Sequence, residues 1–197
     1  MDYDHYTDAC VELAVDLIND YGTAPRVAAG RGDEPVDDLD AFLRAHDLDD
    51  TGVTTADTDA ARRLADRLHA VFTTGDASEA VAVVNAELAR TGPVPQISGH
   101  DDADWHLHYR APGATPVDRL AAVAAMGLAT ALVTGGLRRF GRCDGVDCRD
   151  VYVDVSRNNR RRFCDDGCAN LAHVTAHRAR QRDTGGDDAG RPQAAQR

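Results

Sequence analysis

The sequence contains no lysine: all 22 of its basic residues are arginine, set against 33 aspartate and glutamate residues. It has no uninterrupted apolar stretch of 18 residues, so we expect no membrane span. Its first ten residues, MDYDHYTDAC, lack the long apolar run of a secretory signal, which favours a cytoplasmic protein. The phosphate-binding loop, the G-x-S-x-G elbow, the H-E-x-x-H pair and the kinase motifs are also missing, so we expect that the protein is not an enzyme.

The charge is distributed unevenly along the chain. Residues 1–136 hold nine arginines and 24 acidic residues, a net charge of −15, whereas residues 137–182 hold eleven arginines and six aspartates, a net charge of +5. A basic segment on an acidic protein is typical of a module that binds a polyanion locally, although it can also be a solvated face. The length of 197 residues and the apolar content of 43 % allow one substantial domain and a small module.

Four of the five cysteines lie close together near the C-terminus. They follow the pattern C-x4-C, fifteen residues, then C-x3-C: Cys143, Cys148, Cys164 and Cys168. Two thiolate pairs on short loops are a usual ligand set for one tetrahedral zinc ion. Two disulfides are the alternative, but a cytosolic chain keeps its thiols reduced. We therefore predict one structural Zn²⁺ with no open position for catalysis. Cys10 is isolated, and we expect it to be a buried apolar residue.

The segments around these cysteines predict a small zinc finger. Val151 to Val155 form a β-prone run, SRNN favours a turn, and AHVTAHRARQR predicts a helix after the second cysteine pair. The order of knuckle, hairpin and knuckle at a helix start is typical of a treble-clef-like finger. His173 and His177 could replace the first cysteine pair as ligands, but the four-cysteine set is the simpler interpretation.

The residues before the finger predict a helical body. Apolar residues at helical spacing indicate helices within five segments: residues 8–20, 37–46, 54–73, 78–90 and the apolar run that begins at Pro116. Residues 23–35 are predicted as a loop, and Gly135, Gly136 and Gly141 as a hinge before the finger. The tail, residues 183–197, is disordered by composition. The predicted fold class is mainly α with a small β-hairpin (α+β), a helical N-terminal domain followed by a treble-clef-like zinc finger.

The one predicted hairpin of the body covers residues 94–110, where apolar and polar residues alternate. His106 and His108 share one face of it, and Leu107 and Tyr109 share the other. The histidine face is more typical of solvent exposure than of a metal site. The turn from His100 to Asp104 is acidic, and the His-Asp region from His100 to His108 is the only support for an enzymatic role.

The motifs around the cysteines resemble a known family. They are Arg142-Cys143, Cys148-Arg149, the segment DVSRN from Asp154 to Asn158, the run Arg160-Arg161-Arg162, Phe163-Cys164 and Cys168-Ala169-Asn170. In these motifs, residues 142–182 resemble the CGNR zinc finger. This finger occurs at the C-terminus of bacterial proteins that begin with an ABATE domain. The family's Cys-Gly-Asn-Arg motif ends here in Leu171 instead of arginine.

Residues 8–140 resemble the ABATE domain in the order of their elements. The resemblance implies a helical domain over residues 1–140 that senses a ligand and a CGNR-like finger over residues 141–182. It also implies a role in the regulation of transcription under stress.

Two basic surfaces could contact DNA, because arginine suits phosphate oxygens and guanine edges while asparagine suits adenine. The candidate residues lie at the turn and on the helix: Arg157, Asn158, Arg160, Arg161, Arg162, His177, Arg178 and Arg180. Some of these arginines could instead hydrogen-bond the carbonyl groups of the knuckles or pair with nearby aspartates.

Two functions remain open at this point. The first is a zinc-binding, DNA-binding transcription regulator with a ligand-sensing N-terminal domain. A homodimer fits this function, because one small finger contacts few bases. The second is a protein-interaction adaptor without nucleic-acid binding, which the net charge of −11 and the loss of the family arginine at Leu171 favour.

Overall fold

The computed structural model describes residues 4–32, 38–48, 52–99, 106–109 and 111–185. Within those ranges the chain forms seven α-helices and two small antiparallel sheets of two strands each. The helices are α1 Asp4–Tyr21, α2 Thr23–Ala28, α3 Leu39–Ala45, α4 Thr55–Thr73, α5 Ala77–Thr91, α6 Pro116–Gly135 and α7 Asp166–Gly185. The strands are β1 Pro95–Ser98, β2 His106–Tyr109, β3 Phe140–Arg142 and β4 Val151–Val153. The predicted fold class is confirmed, with one small sheet in the body and one in the finger.

The long helices begin where local capping residues place their first turns. Thr54 and Asp57 form a capping box at α4, and Thr115 and Asp118 form another at α6, just before Pro116. In each box the threonine hydroxyl accepts from the backbone N–H of the aspartate, at 3.3 Å and 3.1 Å. These caps satisfy N–H groups that have no partner inside a helix. Both helix starts were predicted from the sequence and are confirmed.

Helix α6 lies at the centre of the body and packs against α1, α4 and α5. Its length and composition alone would let it cross a membrane, but more than half of it is buried inside the structure. Gly127 allows its closest approach to α1: a Cβ there would lie 2.6 Å from the carbonyl carbon and oxygen of Cys10. Cys10 itself is 4 % exposed, as predicted for a buried apolar residue.

Helix α2 contradicts the predicted loop over residues 23–35. Its first residue is capped from a distance: the Asp66 carboxylate on α4 accepts from the backbone N–H of Thr23 at 2.7 Å and from its hydroxyl at 2.8 Å. A side chain 43 positions away supplies the cap, so the local sequence gives no helix start signal. The residues from 33 to 35 lie outside the described residues.

The predicted hairpin of the body is confirmed as β1 and β2, with Gln96 opposite His108 and Ile97 opposite Leu107. The apolar pair on it is exposed, Ile97 at 73 % and Leu107 at 39 %, and Tyr109 packs against the core. The segment from His100 to Trp105, including the predicted acidic turn, lies outside the described residues.

An ion-pair network joins three helices of the body. Glu87 on α5 is 4 % exposed. Its carboxylate accepts hydrogen bonds from Arg67 of α4 and from Arg90, the latter at 2.9 Å. Arg90 also donates to Asp118 at the start of α6, at 2.6 Å. The two arginines compensate the buried charge of Glu87, and removal of either the acid or its partners would leave a buried charge unpaired.

The finger is packed against the body. Strand β3 contacts α4, and strand β4 contacts α1. Val151 and Val153 belong to the core, at 0 % and 4 % exposure. The ring centre of Phe140 lies 5.2 Å from that of Phe72. Gly141 approaches the ring of Tyr152 so closely that a Cβ would collide with it. These contacts argue against the predicted hinge: Gly141 is needed for close packing.

The strand pairing also differs from the predicted order. Val151–Val153 pair with Phe140–Arg142, before the first knuckle, and the described residues after the SRNN turn form no strand. The first cysteine pair therefore lies in the loop of a β-hairpin, and the second lies at the start of α7. Residues 183–185 of the predicted disordered tail are helical, and residues 186–197 lie outside the described residues.

Candidate metal centre and basic surface

The four clustered cysteines form a zinc site. Their sulfur atoms all lie within 4.8 Å of one another, with Cys148 Sγ and Cys164 Sγ 3.8 Å apart and Cys164 Sγ and Cys168 Sγ 3.6 Å apart. Tetrahedral zinc has Zn–S bonds of about 2.3 Å, which corresponds to edges of about 3.8 Å between sulfurs. The observed spacing fits that tetrahedron, and four thiolates match a structural zinc ion with no open position.

Backbone hydrogen bonds hold the two knuckles together. Cys143 follows β3 and donates its N–H to the Asp150 carbonyl at 2.8 Å, which closes the first loop. The N–H of Asp144 donates to the Arg162 carbonyl, also at 2.8 Å, and so connects the first knuckle to the second. Asp165 caps α7 by accepting from the N–H of Cys168 at 2.7 Å. The ligands are therefore fixed by a hairpin loop on one side and a helix start on the other.

Gly145 lies at a crowded position beside the sulfur atoms. A Cβ at this position would lie 3.1 Å from Cys168 Sγ and 3.2 Å from Cys143 Sγ. The same residue donates its N–H to Cys143 Sγ at 3.3 Å. The absence of a side chain at this position thus lets the backbone lie close to the metal ligands.

The thiols differ in the ease with which they ionise. Burial raises the pKa of Cys148 to about 12 and also raises the pKa values of Cys164 and Cys168. Burial acts against ionisation at Cys143 too, but the N–H groups of Cys164 and Gly145 donate to its sulfur and lower its pKa. Without a cation these clustered thiols resist carrying several charges, and bound zinc supplies the positive charge that lets all of them deprotonate.

Two arginines of the finger have structural roles. Arg161 donates to the carbonyl of Phe163 at 3.0 Å and to that of Cys164, while its guanidinium lies 5.2 Å from the Tyr152 ring centre. Arg139 donates to the carbonyls of Asp154 and Ser156, both at 2.6 Å. Arg161 was predicted as a DNA contact; in the structure its Nε and Nη2 atoms donate to carbonyls of the finger itself.

Asp154 organises the turn that carries the basic residues. It is 3 % exposed, and its carboxylate accepts from the N–H of Ser156 at 2.9 Å and from that of Arg161 at 2.8 Å. Burial acts to raise its pKa, but these hydrogen bonds outweigh burial and lower the pKa. The ionised aspartate therefore holds the loop from Ser156 to Arg161 in shape.

The other predicted residues of the turn face solvent. Arg157, Asn158 and Arg160 are exposed, and Arg157 and Arg160 make no hydrogen bond or ion pair with the described part of the chain. Arg162 is exposed as well, but it pairs with Asp144 at 2.8 Å. Sequence reasoning missed Arg138, which is exposed beside this turn, since its carbonyl accepts from Asn159 Nδ2 at 3.2 Å. Its position before β3 gave no signal of this proximity.

Helix α7 presents the remaining predicted residues. His177, Arg178 and Arg180 are exposed on it, and so are Leu171 at 57 % and Val174 at 46 %. His173 lies at a groove of about 450 Å³ that the basic run and the start of α7 enclose. Neither His173 nor His177 belongs to the four-cysteine cluster.

Comparison with protein families agrees with this architecture. The family model described as "CGNR zinc finger" matches residues 139–181. The ABATE model, described as "Putative stress-induced transcription regulator", matches residues 12–136. No curated protein matches the chain at a significant level.

Proposed function

The chain belongs to the ABATE family and ends in a zinc-binding CGNR finger, and from this we propose that it is a cytoplasmic transcription regulator that binds DNA through its finger. Zinc is structural in this proposal: it holds the hairpin loop and the start of α7 together, so that the basic side chains are displayed in a fixed arrangement. The matched families are those of a regulator and a zinc finger, not of an enzyme.

One observation supports DNA binding more than any other. Arg157 and Arg160 face solvent with donors that no described residue uses, on a turn that the buried carboxylate of Asp154 holds in shape. The exposed Arg138 is close to this turn in the fold, because its backbone carbonyl accepts from Asn159 Nδ2. Unpaired guanidinium groups favour phosphate oxygens, because their planar fork matches two oxygens at once. The acidic body repels DNA, so binding through this turn is local and depends strongly on salt.

Residues of α7 form a second candidate surface. His177, Arg178 and Arg180 are exposed and could extend the contact along the duplex, and Asn158 could contact a base edge. Arg161 and Arg162 are proposed to contribute less than their neighbours, because one holds knuckle carbonyls and the other pairs with Asp144.

The test is fluorescence anisotropy of the zinc-loaded protein on random duplex DNA across a salt titration. The variant combines Arg157→Ala with Arg160→Ala, and the control combines Arg62→Ala with Arg63→Ala on α4, which changes the net charge equally on the acidic body. Each neutralised phosphate adds about 0.9 to the slope of log K against log salt. We expect the finger variant to lose about two units of slope and the control to keep it. A wild-type protein that does not bind at low salt would refute the proposal.

A failed DNA test would favour the second candidate, a protein-interaction adaptor. The specific observation for it is the exposed apolar pair on α7, Leu171 and Val174, where the family motif ends in arginine instead of leucine. An exposed apolar patch on a helix is a common contact for another protein.

We propose that any small-molecule ligand of the body binds between body and finger. An open groove of about 600 Å³ lies there, lined by Thr23, Ala24, Val27 and Ala28 of α2, by Asp66 of α4 and by Asp147 and Arg149 of the first knuckle. A ligand in this groove would touch both parts and could therefore influence the finger. Small molecules can be screened for binding by fluorescence quenching or by a shift in melting temperature. A ligand of this groove should bind the wild type and bind less well to Val27→Asp, a change at an exposed residue of the groove wall.

A further inference from the structure

The groove between α2 and the first knuckle combines an apolar wall with charges of both signs. Its volume of about 600 Å³ lies within the usual range of small-molecule sites. Helix α2 supplies the apolar wall with Ala24, Val27 and Ala28, and Val27 is 63 % exposed. The charged residues that line the groove are Asp66, Asp147 and Arg149.

One of these charges already has a structural task. The two carboxylate oxygens of Asp66 accept from the backbone N–H and the hydroxyl of Thr23, at 2.7 Å and 2.8 Å, and so cap α2. The charged groups left for a ligand are therefore one carboxylate and one guanidinium, both on the first knuckle.

These two groups are not engaged with each other. Within the described ranges, the Asp147 side chain makes no hydrogen bond or ion pair. The Arg149 guanidinium donates to the carbonyl of its neighbour Cys148, at 3.4 Å, and forms no ion pair with a described residue. Both residues are exposed, so the groove presents a free negative charge and a free positive charge two positions apart.

We propose that this groove binds an apolar α-amino acid as its zwitterion. The ammonium group binds Asp147, the carboxylate binds Arg149, and the side chain lies on Val27. The inference rests on the proposed function in one respect, since it takes this groove as the ligand site, and it adds the chemical class of the ligand. It does not depend on DNA binding.

Other small molecules fit the groove less well. An organic cation would meet the Arg149 guanidinium, and an organic anion would meet the Asp147 carboxylate, so each leaves one charge repelled or unpaired. A zwitterion satisfies both, and a guanidinium fork suits a carboxylate in particular. Two positions of chain span at most about 7 Å, which favours a ligand whose own opposite charges are close together. The exposed Val27 favours an apolar side chain over a polar one.

The first test is isothermal titration calorimetry of the full zinc-loaded chain with L-phenylalanine as the probe. A small ligand in an open groove is expected to bind with a dissociation constant on the order of 0.1–1 mM. N-acetyl-L-phenylalanine lacks the ammonium charge and L-phenylalanine amide lacks the carboxylate, so each should bind about tenfold more weakly. Glycine keeps both charges without an apolar side chain and should also bind more weakly.

Matched variants assign each charge to its residue. Asp147→Asn is compatible with the backbone φ of +61° at this position, because asparagine tolerates the left-handed region. It should weaken phenylalanine and its amide about tenfold and leave the N-acetyl analogue unchanged. Arg149→Gln should weaken phenylalanine and the N-acetyl analogue and leave the amide unchanged. The controls Asp59→Asn and Arg63→Gln, at exposed positions of α4, should leave every ligand unchanged.

The possible failures are distinguishable. The proposal is overturned if phenylalanine does not bind at millimolar concentration, or if its affinity survives Asp147→Asn or Arg149→Gln. A screened ligand that is lost in Val27→Asp but does not depend on Asp147 and Arg149 would overturn the amino-acid class and keep the groove as the site. Phenylalanine binding that ignores Val27→Asp would overturn the location. Anisotropy on DNA is a separate readout, so a failure of DNA binding is not a failure of this inference.

Discussion

The side-chain amide of Asn19 forms two hydrogen bonds with the main chain of Val151. The N–H of Val151 donates to Asn19 Oδ1 at 2.8 Å, and Asn19 Nδ2 donates to the Val151 carbonyl at 3.1 Å. The amide thus replaces a neighbouring strand on the outer edge of β4, and it links α1 of the body to the finger across 132 positions of sequence. Val151 is fully buried, so water cannot replace the amide of Asn19 as the hydrogen-bond partner of its N–H and carbonyl.

Replacing Asn19 with leucine should destabilise the whole protein. The change keeps a similar volume but leaves the N–H and carbonyl of Val151 without partners, which costs about 1–3 kcal/mol for a buried polar group. Urea unfolding of the zinc-loaded protein measures the loss. Asn158→Leu, at an exposed position of the turn, is the matched control and should change stability by less than about 0.5 kcal/mol. Equal stability of the two variants would show that the amide link contributes nothing.

Loss of zinc should weaken the body as well as the finger. Cys164→Ser removes a ligand and should abolish stoichiometric zinc binding, and the unfolding transition of the helices should then move to lower denaturant, because Val151 and Val153 are part of their core. Metal analysis and far-UV circular dichroism report the two effects. Cys10→Ala is the control: it lies in the core, is no ligand, and should keep one zinc per chain. A body transition that does not move would contradict the coupling.

The arginines of the basic run should separate into two classes. Arg161→Ala leaves the carbonyls of Phe163 and Cys164 without their donor and should lower zinc affinity by about tenfold to a hundredfold, as is usual for residues that orient metal ligands. Arg160→Ala should leave zinc affinity unchanged, because Arg160 makes no bond within the described chain. Competition with a chromogenic chelator measures both. Similar zinc affinities for the two variants would refute the structural role of Arg161.

The buried network at Glu87 should make stability depend on acid pH. Burial opposes ionisation of Glu87, but hydrogen bonds from Arg67 and Arg90 outweigh burial and lower its pKa below the usual 4.5. A pKa that is lower in the folded state contributes stability that is present above pH 4.5 and is lost as the pH falls through the folded value. Glu87→Gln should cost about 1.5–3 kcal/mol at pH 7 and flatten the loss of stability below pH 4.5.

All variants release zinc in acid, so the free energy of unfolding of each variant is compared with that of the wild type at the same pH. Glu79→Gln, at the start of the same helix, provides the matched control and should retain the wild-type pH profile. If both glutamine variants lose stability in acid as steeply as wild type, the network does not control the acid response.

The sequence predicted those features whose signals are local. The cysteine spacing is sufficient to predict the zinc site, because the type of ligand and the length of the loops between ligands determine such a site. The starts of α4 and α6 were predicted at residue 54 and at Pro116, and the structure explains them by local capping boxes, Thr54 with Asp57 and Thr115 with Asp118. The structure confirms each of these predictions.

The features that sequence reasoning missed depend on distant partners. Helix α2 is capped by Asp66, strand β4 is completed by Asn19, and Arg161 is held by carbonyls of its own knuckle. None of these partners can be identified from spacing or composition, because tertiary contacts decide which donors and acceptors meet. The basic run therefore looks uniform in the sequence, although its arginines differ in the structure.

The burial of Val151 and Val153 among the helices has a consequence for protein engineering. A fragment cut at residue 140, between the segments that the two family models match, would expose the core surface that these valines cover. Such a fragment would tend to aggregate, and a finger transplanted from a relative would need α1 and α4 to be refitted around it. The two family models match two separate segments, but the two segments share one hydrophobic core and should fold together.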